Sequence, residues 1–196
     1  MSKVVLDVSM SLDGFVAGPN VRDAEPMGDG GERLHAWMSG EGPDGAVDDR
    51  VRRLVDAGVG AAIMGRRTFD LGLPLWGGTP WPGLPSFVVT HRPRPDLLGD
   101  NGGTFVFDGL EGAVRRALLA AQAKDVLVLG PDIGRQLLAA GLLDELRINL
   151  VPILLGGGTK LFDGARAELV PQGRPLVGSV THLRLRFAGP QEPPRS

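Results

Sequence analysis

The 196-residue chain contains no cysteine. A disulfide scaffold, a cysteine nucleophile and a thiolate metal site are therefore excluded, and the lack of disulfides fits a reducing compartment. Histidine is scarce. His35, His91 and His182 are the only ones, and no two stand at helical ligand spacing, so no metal set emerges. An excess of one charge is missing too: 21 Lys and Arg face 23 Asp and Glu, for a net charge of −2. Such a balance offers no broad electrostatic footprint for nucleic acid. No run reaches the roughly 18 apolar residues of a membrane helix. The opening stretch Met1-Ser2-Lys3-Val4-Val5-Leu6-Asp7 has no long apolar core, so no signal peptide is read. The expectation is a cytoplasmic protein without membrane or nucleic-acid partners. G-x-G-x-x-G, the Walker A lysine motif and the Gly-x-Ser-x-Gly elbow are also absent, which removes the standard Rossmann, P-loop and α/β-hydrolase readings.

What is present is ordinary globular material, 42% hydrophobic and 22% charged, in a length that suits one domain. The domain is expected over residues 1–188, with a disordered tail at 189–196 where prolines and polar residues gather. The 30 glycines and 16 prolines are the unusual feature. They concentrate in 13–31, 72–85, 130–134 and 156–158, which read as loops and turns. Between them lie short β-branched runs at Val4–Met10, Ala61–Met64, Ser86–Thr90, Thr104–Phe107 and Asp125–Leu129, all read as buried strands. Helices are predicted over Glu32–Met38, Ala46–Ala57, from Arg66 to Leu71, over Leu110–Ala123 and over Ile133–Ala140. Two later strands, Asp144–Leu155 and Ser179–Phe187, read as an antiparallel hairpin at the sheet edge. In the second of these, His182 alternates with apolar residues and reads as solvent-facing. The element order predicts an α/β fold with a mostly parallel sheet and an antiparallel end.

Three strand ends stand out, two with glycine and two with arginine: Met64-Gly65-Arg66-Arg67-Thr68, Val89-Thr90-His91-Arg92 and Leu129-Gly130-Pro131-Asp132-Ile133-Gly134. In an open parallel sheet the C-terminal strand ends share one edge, and ligands bind there. Helix N-termini and guanidinium groups both suit phosphate. The pattern points to a phosphorylated, nucleotide-like ligand. Gly156-Gly157-Gly158-Thr159-Lys160 follows a late antiparallel strand and reads as a tight loop. Phe15, Trp37, Trp76 and Trp81 fall near the same edge. They either stack on a flat substrate ring or cap the core, and the residues leave both open.

Ser9-Met10-Ser11-Leu12-Asp13-Gly14-Phe15-Val16-Ala17-Gly18, Met64-Gly65-Arg66-Arg67-Thr68-Phe69, Val89-Thr90, Val128-Leu129-Gly130-Pro131 and the segment from Gly141 to Gly158 together resemble the dihydrofolate-reductase-like superfamily. The likeness is strongest to the reductase domain of bifunctional riboflavin-biosynthesis deaminase-reductases and their stand-alone bacterial relatives, over about residues 3–188. The resemblance implies a central, mainly parallel sheet with helices on both faces, NADPH as hydride donor, and a homodimer. It implies that Gly65, Arg66, Arg67 and Thr68 hold the pyrophosphate region, and that Thr90, His91 and Arg92 sit by the 2′-phosphate. Gly130, Pro131, Asp132, Ile133 and Gly134 then lie under the nicotinamide ribose and pyrophosphate, and Leu12 to Asn20 cover the nicotinamide. The implied activity is reduction of a small heterocyclic C=N or C=O substrate, pterin-, pyrimidine- or flavin-precursor-like, as in 5-amino-6-(5-phosphoribosylamino)uracil reductase. Phe15, Trp37 and Trp76 are its candidate substrate contacts. Asp13 is the candidate acid on the cofactor-facing loop, either ordering that loop or touching substrate. Two departures stand out. Leu129 occupies the place of a substrate-binding glutamate. The first-helix carboxylate of folate reductases has no motif here, with Glu32, Asp48 and Asp49 all eligible. A non-catalytic nucleotide-binding or scaffold protein with the same fold is the alternative.

Overall fold

The computed structural model describes residues 2–40, 45–92, 94–162 and 164–188. In chain order the first half comprises β1 (Val4–Ser11), β2 (Phe15–Ala17), a 3-10 helix (Gly31–Ser39), α1 (Gly45–Gly58), β3 (Val59–Gly65), α2 (Arg66–Trp76), β4 (Ser86–Val89), β5 (Leu97–Leu98) and β6 (Thr104–Asp108). The second half comprises α3 (Leu110–Ala120), β7 (Asp125–Leu129), α4 (Pro131–Ala139), β8 (Glu145–Val151), β9 (Thr159–Lys160), β10 (Leu169–Pro171), β11 (Leu176–Val177) and β12 (Thr181–Phe187). The main sheet runs β10-β12-β8-β1-β7-β3-β4-β6-β5, with β11 also on β12. From β8 to β6 all neighbours are parallel. β12 is antiparallel to β8, and β5 to β6.

The central strands are apolar on both sides because helices cover both faces. On one face Val4, Leu6, Ile63, Val126 and Val128 pack with Ala113, Val114 and Ala117 of α3 and with Ile133, Leu137 and Leu138 of α4. On the other, Met64, Val88, Phe105 and Phe107 surround Phe69 of α2. Phe69 meets Phe105 edge-on at 4.9 Å and Phe107 at 5.3 Å, the geometry that the ring quadrupole favours. Val5, Val59 and Leu127 of that second face lie against Val55 of α1 and Trp81.

Several boundaries differ from the sequence reading for identifiable reasons. The expected loop at 13–31 contains β2, which pairs with β9. Residues 72–76, expected as loop, extend α2 through Pro74. Pro74 costs only the bond its N–H would make to the preceding turn, and the helix stops soon after, where Gly77 caps it at φ +61°. α3 ends at Ala120 because Gln122 and Ala123 turn left-handed at φ 48° and 73°. β8 stops at Val151, before Pro152, which has no ladder donor. β12 pairs with β8 as expected, but β10 and β11 lie outside it, so the hairpin is not the edge. The expected disordered tail, 189–196, lies outside the described residues. Among the described residues no helix is long and apolar enough to cross a membrane.

Candidate active site

Strand register brings the three strand-end segments to one edge. Gly65 pairs with Val89, Val89 with Asp108, and Met64 with Leu129. The chain therefore leaves β3, β4 and β7 at one level. α2 and α4 both start there, and their N-termini interlock. Gly130 sits at φ +91° and ψ 143°, and a Cβ on it would stand 2.5 Å from Thr68 Oγ1. A Cβ on Gly65 would meet Ile133 Cγ1 at 3.0 Å. Gly65–Thr68 and Gly130–Gly134 thus form one cradle, lined by free helix-start N–H groups. The Gly130–Pro131 bond is trans, as are all peptide bonds among the described residues.

The charged groups of this edge are partly committed. Arg66 Nε donates to both carboxylate oxygens of Asp70, at 2.8 and 2.9 Å, and the guanidinium lies over Phe69. Arg67 Nη2 donates to the Val21 carbonyl at 3.2 Å, which joins the start of α2 to the 13–31 loop. Asp132 pairs with Arg135, whose Nη1 also donates to the Lys160 carbonyl at 2.9 Å. Thr90 Oγ1 accepts from the Arg92 backbone N–H at 3.1 Å. His91 and Arg92 are exposed. No described residue hydrogen-bonds the Arg92 guanidinium, so it remains available to an anion.

Asp13 is a knot between loops. Its carboxylate accepts from Ser11 Oγ at 2.6 Å, the Leu155 N–H at 3.1 Å and the Gly156 N–H at 2.7 Å. The Ser11 hydrogen bond, followed by the backbone donors, holds its pKa below the usual carboxylate range. Ser11 Oγ in turn accepts from the Phe15 N–H at 3.0 Å. Of the two roles considered for Asp13, loop ordering is the one these contacts perform. Asp13→Ala is expected to speed amide exchange at Leu155 and Gly156 several-fold. Unchanged exchange at both amides would contradict the tie.

The tryptophans sit closer to the core than the sequence suggested. Trp37 is 8% exposed, packed with Leu34, Val151 and Val180. Its Nε1 donates to Ser9 Oγ at 3.0 Å. Trp76 folds back on Gly72, where a Cβ would stand 2.2 Å from the ring, and packs on the Phe69 cluster. Trp81 Nε1 donates to Asp56 at 3.0 Å. Phe15 is half-buried on β2, opposite Lys160.

His182, read as solvent-facing, is 5% exposed. Alternation correctly placed it on the opposite face from Leu183, but the 3-10 helix and the start of α1 cover that face. Its Nε2 lies 2.9 Å from Asp48 Oδ1 and its Nδ1 2.7 Å from Asn149 Oδ1, and Trp37 meets the ring edge-on at 5.1 Å. Among Glu32, Asp48 and Asp49, Asp48 is the buried carboxylate, at 1% exposure. Its Oδ2 accepts from both the N–H and the hydroxyl of Ser179. Burial alone would raise its pKa. The hydrogen bonds from Ser179 and His182 outweigh burial and hold it below the usual range.

The network continues into the sheet. Asn149 Nδ2 donates to Asp7 Oδ1 at 3.0 Å. Asp7 is half-buried on β1, and burial raises its pKa despite attraction from Arg147. The sequence reading missed Asp7, Asn149 and Ser179 as site candidates. The available signal was Asp7 itself, a carboxylate interrupting a β-branched strand. Among the described residues no group of three or more His, Cys, Asp or Glu is arranged to hold a metal ion.

A mostly parallel sheet with an antiparallel C-terminal strand, helices on both faces and two helix starts meeting at one edge defines a dihydrofolate-reductase-like α/β protein. The chain belongs to the RibD C-terminal domain family, whose model matches residues 2–188. Family membership implies an oxidoreductase. The chain is 26% identical to the uncharacterized protein YwjB of Bacillus subtilis over 160 residues, 82% of each chain. Among solved structures it is similar to a putative riboflavin biosynthesis protein from Shewanella sp. PV-4, with TM-score 0.70 and 23% identity over 95% of this chain and 99% of that one. A pyrimidine reductase-like protein from Corynebacterium diphtheriae gives TM-score 0.62 and 16% identity over 96% and 92% of the two chains. Acinetobacter baumannii RibD gives TM-score 0.59 and 16% identity, with 96% of this chain covering 59% of that one.

Proposed function

We propose that the protein is an NADPH-dependent reductase of a small heterocyclic C=N or C=O substrate of the pyrimidine, pterin or flavin-precursor kind. The observation that carries this reading is the interlocked cradle, in which Gly130 lies so close to Thr68 that any Cβ would fill the gap. The donor set suits a dinucleotide. Two helix starts offer backbone N–H groups to a pyrophosphate, and the Arg92 guanidinium beyond β4, without a side-chain partner among the described residues, suits a 2′-phosphate. NADPH supplies a hydride when bound. The chain's own work is to hold the dinucleotide through Gly65–Thr68 and Gly130–Gly134, to cover the ring with the loop that Asp13 ties down, and to exclude water. The reading includes a homodimer in the cytoplasm. Exposed Leu169, Leu176 and Val177 on the short outer strands are apolar surface that a second copy could cover.

Tryptophan fluorescence during titration with NADPH and NADP+ tests the reading. Saturable binding is expected. Arg92→Ala is expected to cut the preference for NADPH over NADH about tenfold, the scale of one charge-assisted hydrogen bond. An unaltered preference would remove Arg92 from the 2′-phosphate. No binding at millimolar cofactor would return the protein to the scaffold alternative.

A further inference from the structure

A polar chain crosses the face of the sheet covered by α1 and the 3-10 helix, and none of the nucleotide-site residues above belongs to it. It runs from Ser179 through Asp48, His182 and Asn149 to Asp7. Most of its members are engaged on both sides. Asp48 uses one oxygen for His182 and the other for Ser179. His182 uses both ring nitrogens. Asn149 faces His182 with its carbonyl oxygen and donates its amide to Asp7. Asp7 alone ends with capacity to spare, because its Oδ2 accepts no hydrogen bond from any described residue. A partly buried carboxylate oxygen without a protein donor is satisfied by water or by a ligand.

Its position gives the oxygen a use. Leu6 pairs with Val128, so Asp7 stands beside Leu129, the last residue of β7, while β1 continues to Ser11. Val5 and Leu127 share one face, and the two-residue period puts Asp7 and Leu129 on that face too. After Leu129 the chain turns away at Gly130 into α4. Asp7 therefore stands one strand away from the residue that precedes Gly130.

Other charges around Asp7 leave it room to keep a proton. Arg147 on β8 is its strongest attraction. Its Nε is committed to Glu145 at 2.6 Å and its Nη2 to Asp125 at 2.7 Å. Glu145 on β8 opposes ionisation of Asp7, and His182 on β12 favours it. Asp48 on α1 faces Asp7 only through His182 and Asn149. Burial outweighs these attractions and biases Asp7 toward its neutral form.

We propose that Asp7 is the proton-bearing group of this site, and that Asn149, His182 and Asp48 are positioning residues that hold it toward the Gly130 cradle. The proposal rests on the nucleotide-site reading above. In the reduction, Asp7 would release its carboxyl proton to the heteroatom of the C=N or C=O bond while the carbon takes a hydride from a dihydronicotinamide. That ring leaves as the oxidised nicotinamide, and the Asp7 carboxylate recovers a proton from solvent.

The test is a titration of the full chain, labelled with 13C at its aspartate carboxyls, in the absence of substrate. One carboxyl is expected to titrate above the ordinary aspartate range, and Asp7→Asn is expected to remove that signal. His182→Gln is expected to move it further up, because attraction from His182 favours ionised Asp7. The oxidised ring of NADP+ carries a positive charge that the NADPH ring lacks. Saturating NADP+ is therefore expected to lower the Asp7 midpoint by about one pH unit relative to saturating NADPH. The proposal is overturned if Asp7 titrates in the ordinary range, or titrates identically with both cofactors while the Gly65–Thr68 amides shift with each. If His182→Gln leaves the midpoint in place, the positioning chain is overturned. If neither cofactor moves the Gly65–Thr68 amides, the nucleotide reading itself falls.

Discussion

Gly130→Ala is expected to abolish measurable NADPH binding and to lower Tm by roughly 4–10 °C, from a stability loss of about 2–3 kcal/mol. Two effects combine at this residue. At φ +91° and ψ 143° the backbone occupies a region that side-chain-bearing residues avoid. The new Cβ would also stand 2.5 Å from Thr68 Oγ1. Neither neighbour can give way easily. Pro131 has a fixed φ, and Thr68 is a β-branched residue in the first turn of α2. Relief must then come from separating the starts of α2 and α4, on which the proposed nucleotide site depends. Gly141→Ala is the control. Gly141 is also left-handed, at φ +68°, but has no neighbour within 4 Å of the added carbon. That variant should lose about 1 kcal/mol through strain and keep its cofactor affinity. Isothermal titration of both variants decides the matter. If Gly130→Ala bound NADPH as the parent does, the cradle would not be the nucleotide site.

Asp48→Asn is expected to cost about 3 kcal/mol at neutral pH, because it leaves His182 and Ser179 in a buried site without the carboxylate they face. Asp48 is 1% and His182 5% exposed, so water cannot take over the lost role. The pH dependence has a definite sign. A carboxylate with a lowered folded pKa stabilises the fold above its unfolded value, near 3.9, and the contribution fades as pH falls through the lower folded value. The stability gap between parent and Asp48→Asn should therefore be full at pH 7 and begin to close below about pH 4. Urea denaturation at stepped pH measures it. A gap that stayed constant down to pH 3 would show that the charge of Asp48 contributes nothing.

Much of the architecture was legible in local sequence. Val4–Met10, Ala61–Met64 and Asp125–Leu129 are apolar enough to be strands covered on both faces, and all three are central in the sheet. Gly130-Pro131 reads as the turn before a helix, and α4 starts at Pro131 itself, two residues before the expected Ile133. The grouping of Gly65–Thr68 with Gly130–Gly134 followed from the rule that parallel strands deliver their C-termini to one edge. Where punctuation misled, a longer-range contact compensated. Pro74 suggested a loop, but Trp76 packs back over Gly72 onto the Phe69 cluster, and that burial keeps the helix through the proline.

The fold class and the segments that form the cradle could be read along the chain. Each of these depends on periodicity, glycine and proline chemistry, and the order of strands and helices. Which acids become buried and paired depends on packing between distant elements. Alternation along β12 shows that His182 and Leu183 face opposite ways, but it cannot show what lies over each face. The 3-10 helix and α1 come from more than 120 residues earlier in the chain, and their docking turns an apparently exposed histidine into the centre of a buried network. The same docking buries Asp48 rather than Glu32 or Asp49, withdraws Trp37 into the core and leaves one Asp7 oxygen without a donor among the described residues. Those outcomes depend on desolvation and pairing, which are properties of the packed neighbourhood and not of any residue's place in the chain.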